Sequence, residues 1–152
     1  MILLTVGNIG DFQLCDEIST KIQARLLDML GTEQASKYAV KATLLSTISS
    51  FLTTDAFSTL FSHPNFRDVQ ESMANSNHNI RSAAIWTIHE VVENSTPEYI
   101  QKLVDNFVLD TICTILGSIS DSSDTKLLLE ITEKIITQNE DFIFYFQDLQ
   151  GV

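Results

Sequence analysis

One five-residue pattern recurs four times, at a nearly constant interval, and limits what this chain can fold into more than any other feature. It reads Leu4-Thr5-Val6-Gly7-Asn8, Ser46-Thr47-Ile48-Ser49-Ser50, Trp86-Thr87-Ile88-His89-Glu90 and Glu130-Ile131-Thr132-Glu133-Lys134. Its fifth positions fall at 8, 50, 90 and 134, so the spacings are 42, 40 and 44 residues. Around the last three copies the apolar residues keep the spacing of one helix face: Leu44, Ile48 and Phe51, then Ile80, Ala84, Ile88 and Val91, then Leu128, Ile131 and Ile135. A period of about 40 to 47 residues, filled by two or three helices, marks units that cannot bury their apolar faces alone and must stack. The competing explanation is chance recurrence in a non-repeating helical bundle.

The breaks between helices are legible. Gly31 and Gly117 each follow an apolar run, where a glycine just past a helix end belongs. Thr96-Pro97 places proline at a first helical position, and Ser95 with Glu98 fits a capping box. Pro64 separates two short helices, and Ser118 to Asp124 is a polar loop whose end can cap the next helix. No run reads as a strand. The expected fold is all-α, a right-handed solenoid forming one domain over 1–152. It contains a partial unit at 1–10, units at 11–53, 54–94 and 95–138, and a terminal capping helix at 140–150. Each unit should hold a short helix, a second helix and a longer amphipathic third. Ile2 to Asn8 is then the last helix of a unit whose beginning is missing, and it leaves an open stacking face at that end.

Charge and composition set the function classes. Twenty Asp and Glu stand against nine Lys and Arg, for a formal charge of −11. A surface of that sign repels phosphate backbones and favours basic partners, so no nucleic-acid partner is expected. Five glycines and two prolines exclude a turn-rich all-β fold, and none of GxGxxG, GxxxxGK[ST] or GxSxG occurs. Cys15 and Cys113 lack metal-ligand spacing and sit in apolar helical context, which reads as small buried hydrophobes in a reducing compartment. His89 and Glu93 share a helix face at i, i+4 but have no third ligand at a recognisable spacing, so His89 reads as a surface histidine. His63 and His78 have no Ser or Cys motif to serve. No catalytic residue, metal or cofactor is expected. Lys21 is the first basic residue, and Thr5, Gly7, Asn8 and Gly10 interrupt the apolar start. The chain therefore reads as soluble and intracellular, without signal peptide, transmembrane helix or membrane partner. Asn94-Ser95-Thr96 fits a glycosylation pattern that carries no weight without a secretory route.

Several blocks, in order, resemble the C-terminal armadillo repeats of the importin-α (karyopherin-α) family. They are Leu4 to Ile9, Ile80-Arg81-Ser82-Ala83-Ala84-Ile85-Trp86-Thr87-Ile88, Ser95-Thr96-Pro97-Glu98-Tyr99-Ile100-Gln101-Lys102-Leu103-Val104, and Leu129 to Ile136. The likeness runs from residue 2 to about 140, and over residues 11–75 it lies in helical pattern alone. It implies an adaptor for basic nuclear-localisation-type peptides, cytoplasmic and nuclear, or a fragment of one whose last units take an export partner. The chain would then correspond to the last part of such an array, without the basic N-terminal segment that binds importin-β. In that family a W-x-x-x-N ladder on the third helices lines the concave groove. Here Asn8 follows Leu4, Ser50 follows Ser46, Glu90 follows Trp86 and Lys134 follows Glu130, so no rung holds both Trp and Asn.

The residues around Trp86 can be read without the family. With Ala84 on the core stripe and about 100° per residue, Trp86 lies near 200°, Ser82 near 160°, Glu93 near 180° and Glu90 near 240°. An indole thus stands on the polar face between two carboxylates. Either a neighbouring unit covers it, as is usual for large aromatics, or it packs a basic peptide side chain while Glu90 and Glu93 supply charge. The candidate peptide-binding residues are therefore Asn8, Ser50, Trp86, Glu90 and Glu93. Lys134 either puts a positive charge where a basic cargo should lie, so that the groove stops short of the fourth rung, or, as is favoured, is a solvated charge pairing with Glu130 at i, i+4. Phe142-Ile143-Phe144-Tyr145-Phe146 is expected to cap the last core, or to be an association surface if exposed. Two functions follow: a peptide-binding adaptor, or an armadillo scaffold that has lost peptide recognition and self-associates through its open N-terminal end or aromatic tail.

Overall fold

The computed structural model describes residues 9–52 and 56–150, with side chains from Asp16 onward save those of Phe146, Leu149 and Gln150. Among the described residues all regular structure is helical. In chain order α1 spans Ile9–Leu30, α2 Tyr38–Ser50, α3 Ala56–Ser62, α4 Phe66–Glu71, α5 His78–Asn94, α6 Pro97–Asp105, α7 Val108–Leu116, α8 Ser122–Gln138 and α9 Asp141–Gln150. Short 3-10 turns at Glu33–Ser36 and Ser72–Ala74 lead into α2 and extend α4. No described helix is long and apolar enough to cross a membrane.

The segment expected to form the first unit departs from its expected layout. Residues 11–30 form one uninterrupted stretch of α1 rather than a short helix followed by a second. They contain neither Gly nor Pro, so nothing breaks the backbone ladder before Gly31. Gly31 and Gly117 do follow helices, yet neither takes the left-handed conformation; at Gly117 φ is −73°. Gly31 instead supplies space, since a Cβ there would stand 2.5 Å from the Asn65 amide nitrogen. That amide donates to the Leu27 carbonyl at 2.9 Å and ties the α3–α4 loop to the end of α1.

Other helix ends are set by identifiable side chains. The Asn77 carbonyl oxygen caps α5 by accepting from the Asn79 and Ile80 N–H groups, and Asp121 caps α8 through those of Ser123 and Asp124. Pro97 occupies the first turn of α6, where its missing N–H costs nothing. The capping box does not form. Thr96, not Ser95, is the N-cap, and Ser95 Oγ is buried without a hydrogen-bond partner. Helices of corresponding place pack on one another: α3 on α1 and α6, α4 on α7, and α5 on both α2 and α8.

Helix α5 is the centre of the core. Ile80, Ala84, Ile85, Thr87, Ile88, Val91 and Val92 are all buried, an arc of about 160° on the helical wheel. The four-residue stripe visible in the sequence spans only about 80°. The extra width exists because α5 has a long neighbour on each side. Toward α2, the buried Thr87 hydroxyl lies 3.0 Å from the Leu45 carbonyl, while its one proton has a closer acceptor in the Ala83 carbonyl of its own helix at 2.7 Å. Toward α8, Asp124 is buried and accepts from Ser82 Oγ at 2.9 Å, while Arg81 Nε lies 3.4 Å away. Helix α9 seats Phe142 on the last layer and leaves Phe144 68% exposed, so the aromatic run is half cover and half open surface. Tyr145 donates to Asp110 of α7 at 2.9 Å, and that bond, with partial burial, raises the phenol's pKa. Phe107, between α6 and α7, is the one described non-glycine residue with positive φ, at 64°.

These contacts have measurable consequences. Ile88→Ala should cost about 2–5 kcal/mol in urea unfolding, the range for truncating a fully buried branched side chain. At position 107 glycine should be more stable than alanine by about 1 kcal/mol, reversing their usual rank, because only glycine enters the left-handed region freely. Asp121 is held below its ordinary value near 3.8, first by the Asp124 N–H and then by the Ser123 hydroxyl. Its ionised form therefore stabilises the fold above that value, and the contribution disappears as pH falls through the lowered one. The stability difference between wild type and Asp121→Asn should shift in that acid window and stay constant between pH 6 and 8, about two units or more above it.

Candidate peptide-binding groove

The site is built on the outward arc of α5, between the flanks that α2 and α8 cover. Trp86 emerges there with 45% of its surface exposed, so it is not sealed between layers. One face of the indole stacks on the His89 ring, centroids 5.6 Å apart and planes 20° from parallel. His89 is not the surface histidine its sequence context suggested. Its side chain is only 14% exposed, because α8 closes over that flank of α5. Its Nε2 lies 3.1 Å from Glu130 Oε2 on α8. A carboxylate only accepts, so Nε2 carries the proton and donates. Nδ1 is left buried without a hydrogen bond, 3.7 Å from Glu90 Oε1.

His89, which stacks on the indole, also lines a groove of about 500 Å³ between α5 and α8, together with Glu93, Glu130, Glu133, Lys134 and Thr137. Lys134 does not pair with Glu130 as expected. It reaches across to Glu93, Nζ to Oε2 at 3.7 Å, while Lys126 takes Glu130 at 3.6 Å. The register explains the exchange. Ser82 meets Asp124, His89 meets Glu130 and Glu93 meets Lys134, offsets of 42, 41 and 41 residues. Such a constant offset places α5 and α8 parallel and side by side. Residues one repeat apart therefore become neighbours, and Lys134 faces Glu93 as readily as it faces its own helix. Glu133 has no cationic partner among the described residues. Three carboxylates, Glu93, Glu130 and Glu133, outnumber Lys134 and His89 together and leave the groove net negative.

On the other flank, a shallower groove of about 840 Å³ lies between α2 and α5 and includes Ser46, Thr47, Ser50, Ser82 and Ala83 in its lining. Ser50 is exposed there, but its hydroxyl donates to the Ser46 carbonyl at 3.2 Å. Thr43 and Thr47 likewise donate to carbonyls one turn earlier on α2, at 2.8 and 2.7 Å. With their protons engaged, these hydroxyls offer a ligand acceptor lone pairs only. Asn8 lies outside the described residues. Of the five candidates, Trp86, Glu90 and Glu93 share the α5 ridge, and Ser50 stands apart on α2.

Three features escaped the sequence reading: the His89–Glu130 link, the Glu93–Lys134 pair, and the cluster of His78, Arg81, Ser82 and Asp124. The repeat period itself could have found all three, since each joins residues about one period apart. The last cluster contains Ser, His and Asp but not the order that nucleophilic catalysis needs. Ser82 Oγ donates straight to Asp124 and lies 3.3 Å from His78 Nδ1, so no imidazole stands between hydroxyl and carboxylate. The cluster locks α5 to α8. Among the described residues no group of three or more His, Cys, Asp and Glu is placed to hold a metal. Cys113 is half-buried with a free thiol rather than fully enclosed. Compared with known proteins, the chain matches no family model and no curated protein.

Trp86 is the chain's one tryptophan, so fluorescence reports this site alone. Acrylamide should quench the native protein readily, and urea should increase that access only modestly. Strong protection in the native state would mean an indole enclosed between layers.

Proposed function

We propose that this chain is a non-catalytic, importin-α-like armadillo module whose α2–α5–α8 face binds basic segments of other proteins. Its helices then form a right-handed solenoid, with α3 to α5 and α6 to α8 as successive three-helix units and α1 with α2 as an altered first one. The near-constant offset between contacting residues supports this arrangement, as does the packing of each helix on its counterpart one period away. A bundle without internal repetition has no reason to keep that offset.

The observation that carries the functional reading is the half-exposed Trp86 beside a groove lined by carboxylates. An indole face attracts a cation and covers its methylene stem, a contribution of about 0.5–2 kcal/mol. Glu90 and Glu93 strengthen the attraction without fixing a peptide backbone, because a carboxylate cannot donate to a carbonyl as an asparagine amide does. Recognition of this kind is electrostatic, tolerant of sequence and sensitive to salt. It suits transient contact with basic localisation-type segments in the cytoplasm and nucleus. An assembly scaffold is the second reading. It is favoured by the open face of α9, where Phe144 and Ile143 are exposed.

Titration with a lysine-rich peptide separates the two. Trp86→Ala should weaken binding by about twofold to thirtyfold, the range of one cation–π contact. Raising salt from about 0.05 to about 0.3 M should weaken it further as exposed charges are screened, and an acidic scrambled peptide should not bind. Affinity indifferent to both salt and Trp86 would remove the adaptor reading. Concentration-dependent dimers abolished by Phe144→Ser would then support the scaffold.

A further inference from the structure

We propose that Lys134 is a built-in competitor for the acidic groove, an ammonium of the chain's own that stands where a partner's Lys or Arg would sit and so sets which segments are admitted. The inference rests on the peptide-binding reading and deepens it by assigning a specificity-determining residue to the same site.

Lys134 extends from α8 across the groove to Glu93 on α5, 3.7 Å away, although Glu130 stands one turn back on its own helix. Glu130 is already engaged by His89 at 3.1 Å and Lys126 at 3.6 Å, and Lys134 makes its ion pair across the groove with Glu93. The groove therefore already seats one cation of the chemistry a basic partner would bring. That occupant is held loosely. The Lys134 and Glu93 side chains are 36% and 43% exposed, and a separation of 3.7 Å is a charge contact rather than a short hydrogen bond. Exposed pairs of this kind are weak enough for a second cation to exchange with them.

Two consequences follow. A lone basic residue gains little, because it must displace Lys134 and then lies close to that ammonium. A segment with several adjacent cations can place one against Trp86 and Glu90 while another takes Glu93, sending Lys134 out to solvent. Lys134 thus raises the number of basic residues a partner needs and marks the end of the usable groove along α8.

The test measures affinity for a hexalysine peptide and for a peptide with one lysine among alanines, using wild type, Lys134→Gln, Trp86→Ala and Arg67→Gln. Arg67 is an exposed α4 residue paired with Glu71, so its replacement changes net charge equally, away from the groove. Lys134→Gln should strengthen hexalysine binding by about threefold to tenfold, from one freed carboxylate and one repulsion removed. The gain for the single-lysine peptide should be proportionally larger, and Arg67→Gln should stay within about twofold of wild type. Equal gains in Lys134→Gln and Arg67→Gln would reduce the effect to net charge and overturn the proposal. Unchanged or weaker binding by Lys134→Gln, while Trp86→Ala still loses affinity, would overturn it and leave the peptide-binding reading standing. Absence of binding in both wild type and Lys134→Gln would overturn the two together.

Discussion

Helix α5 has more apolar surface than any one neighbour can cover, and the rest of the described structure answers that constraint. A buried arc of about 160° needs a long helix on each flank, and α2 and α8 take those places. Polar contacts then fix how each neighbour sits. The Thr87 hydroxyl reaches the Leu45 carbonyl on one side, and Asp124 draws Ser82 and Arg81 on the other. Burying a carboxylate costs several kcal/mol unless charge and hydrogen bonds compensate. Asp124 is thus a point at which α5 and α8 have little freedom to slip past one another.

Fixed register converts a sequence period into a surface. With α8 parallel to α5 at an offset of about 41 residues, His89 and Glu93 of α5 each face a residue of α8 about one period further on. Ridge chemistry is therefore decided in pairs: His89 with Glu130, Glu93 with Lys134. Trp86 stands out because it is 45% exposed on this ridge, with the His89 ring stacked on its indole. The same geometry bonds the Ser82 hydroxyl directly to Asp124, with no imidazole between them. An acidic groove, a half-open indole and a displaceable ammonium are one arrangement seen from three residues.

Much of this was legible from the sequence, for physical reasons. Stripes such as Leu128, Ile131 and Ile135 are buried because the 3.6-residue period fixes which side chains share a face. The same arithmetic put Trp86 on the polar face and left open whether a neighbour covers it; it is 45% exposed. What one helix wheel cannot show is a second neighbour, so Ile85, Thr87 and Val92 were missing from the expected stripe and His89 was placed in solvent. Local motifs failed where tertiary contacts compete. Ser95 has the right letter for a capping box, but its hydroxyl oxygen is buried at the end of α5 without a hydrogen-bond partner. Gly31 looked like a left-handed helix stop and serves to admit Asn65. Phe107 is the least legible. Asn106, the residue type that tolerates positive φ, sits one place earlier at −93°, and the aromatic takes the strained position.

The central claim is that a cation from a partner protein comes to rest against Trp86. Its most direct measurement is the indole N–H resonance of that single tryptophan in a ¹H–¹⁵N spectrum, followed as a lysine-rich peptide is added. A saturable shift of this resonance, with movement of the Glu90 and Glu93 amides and reversal by salt, is the expected result. An indole signal that stays still through saturation, while amides of α9 or other distant elements move, would contradict the account.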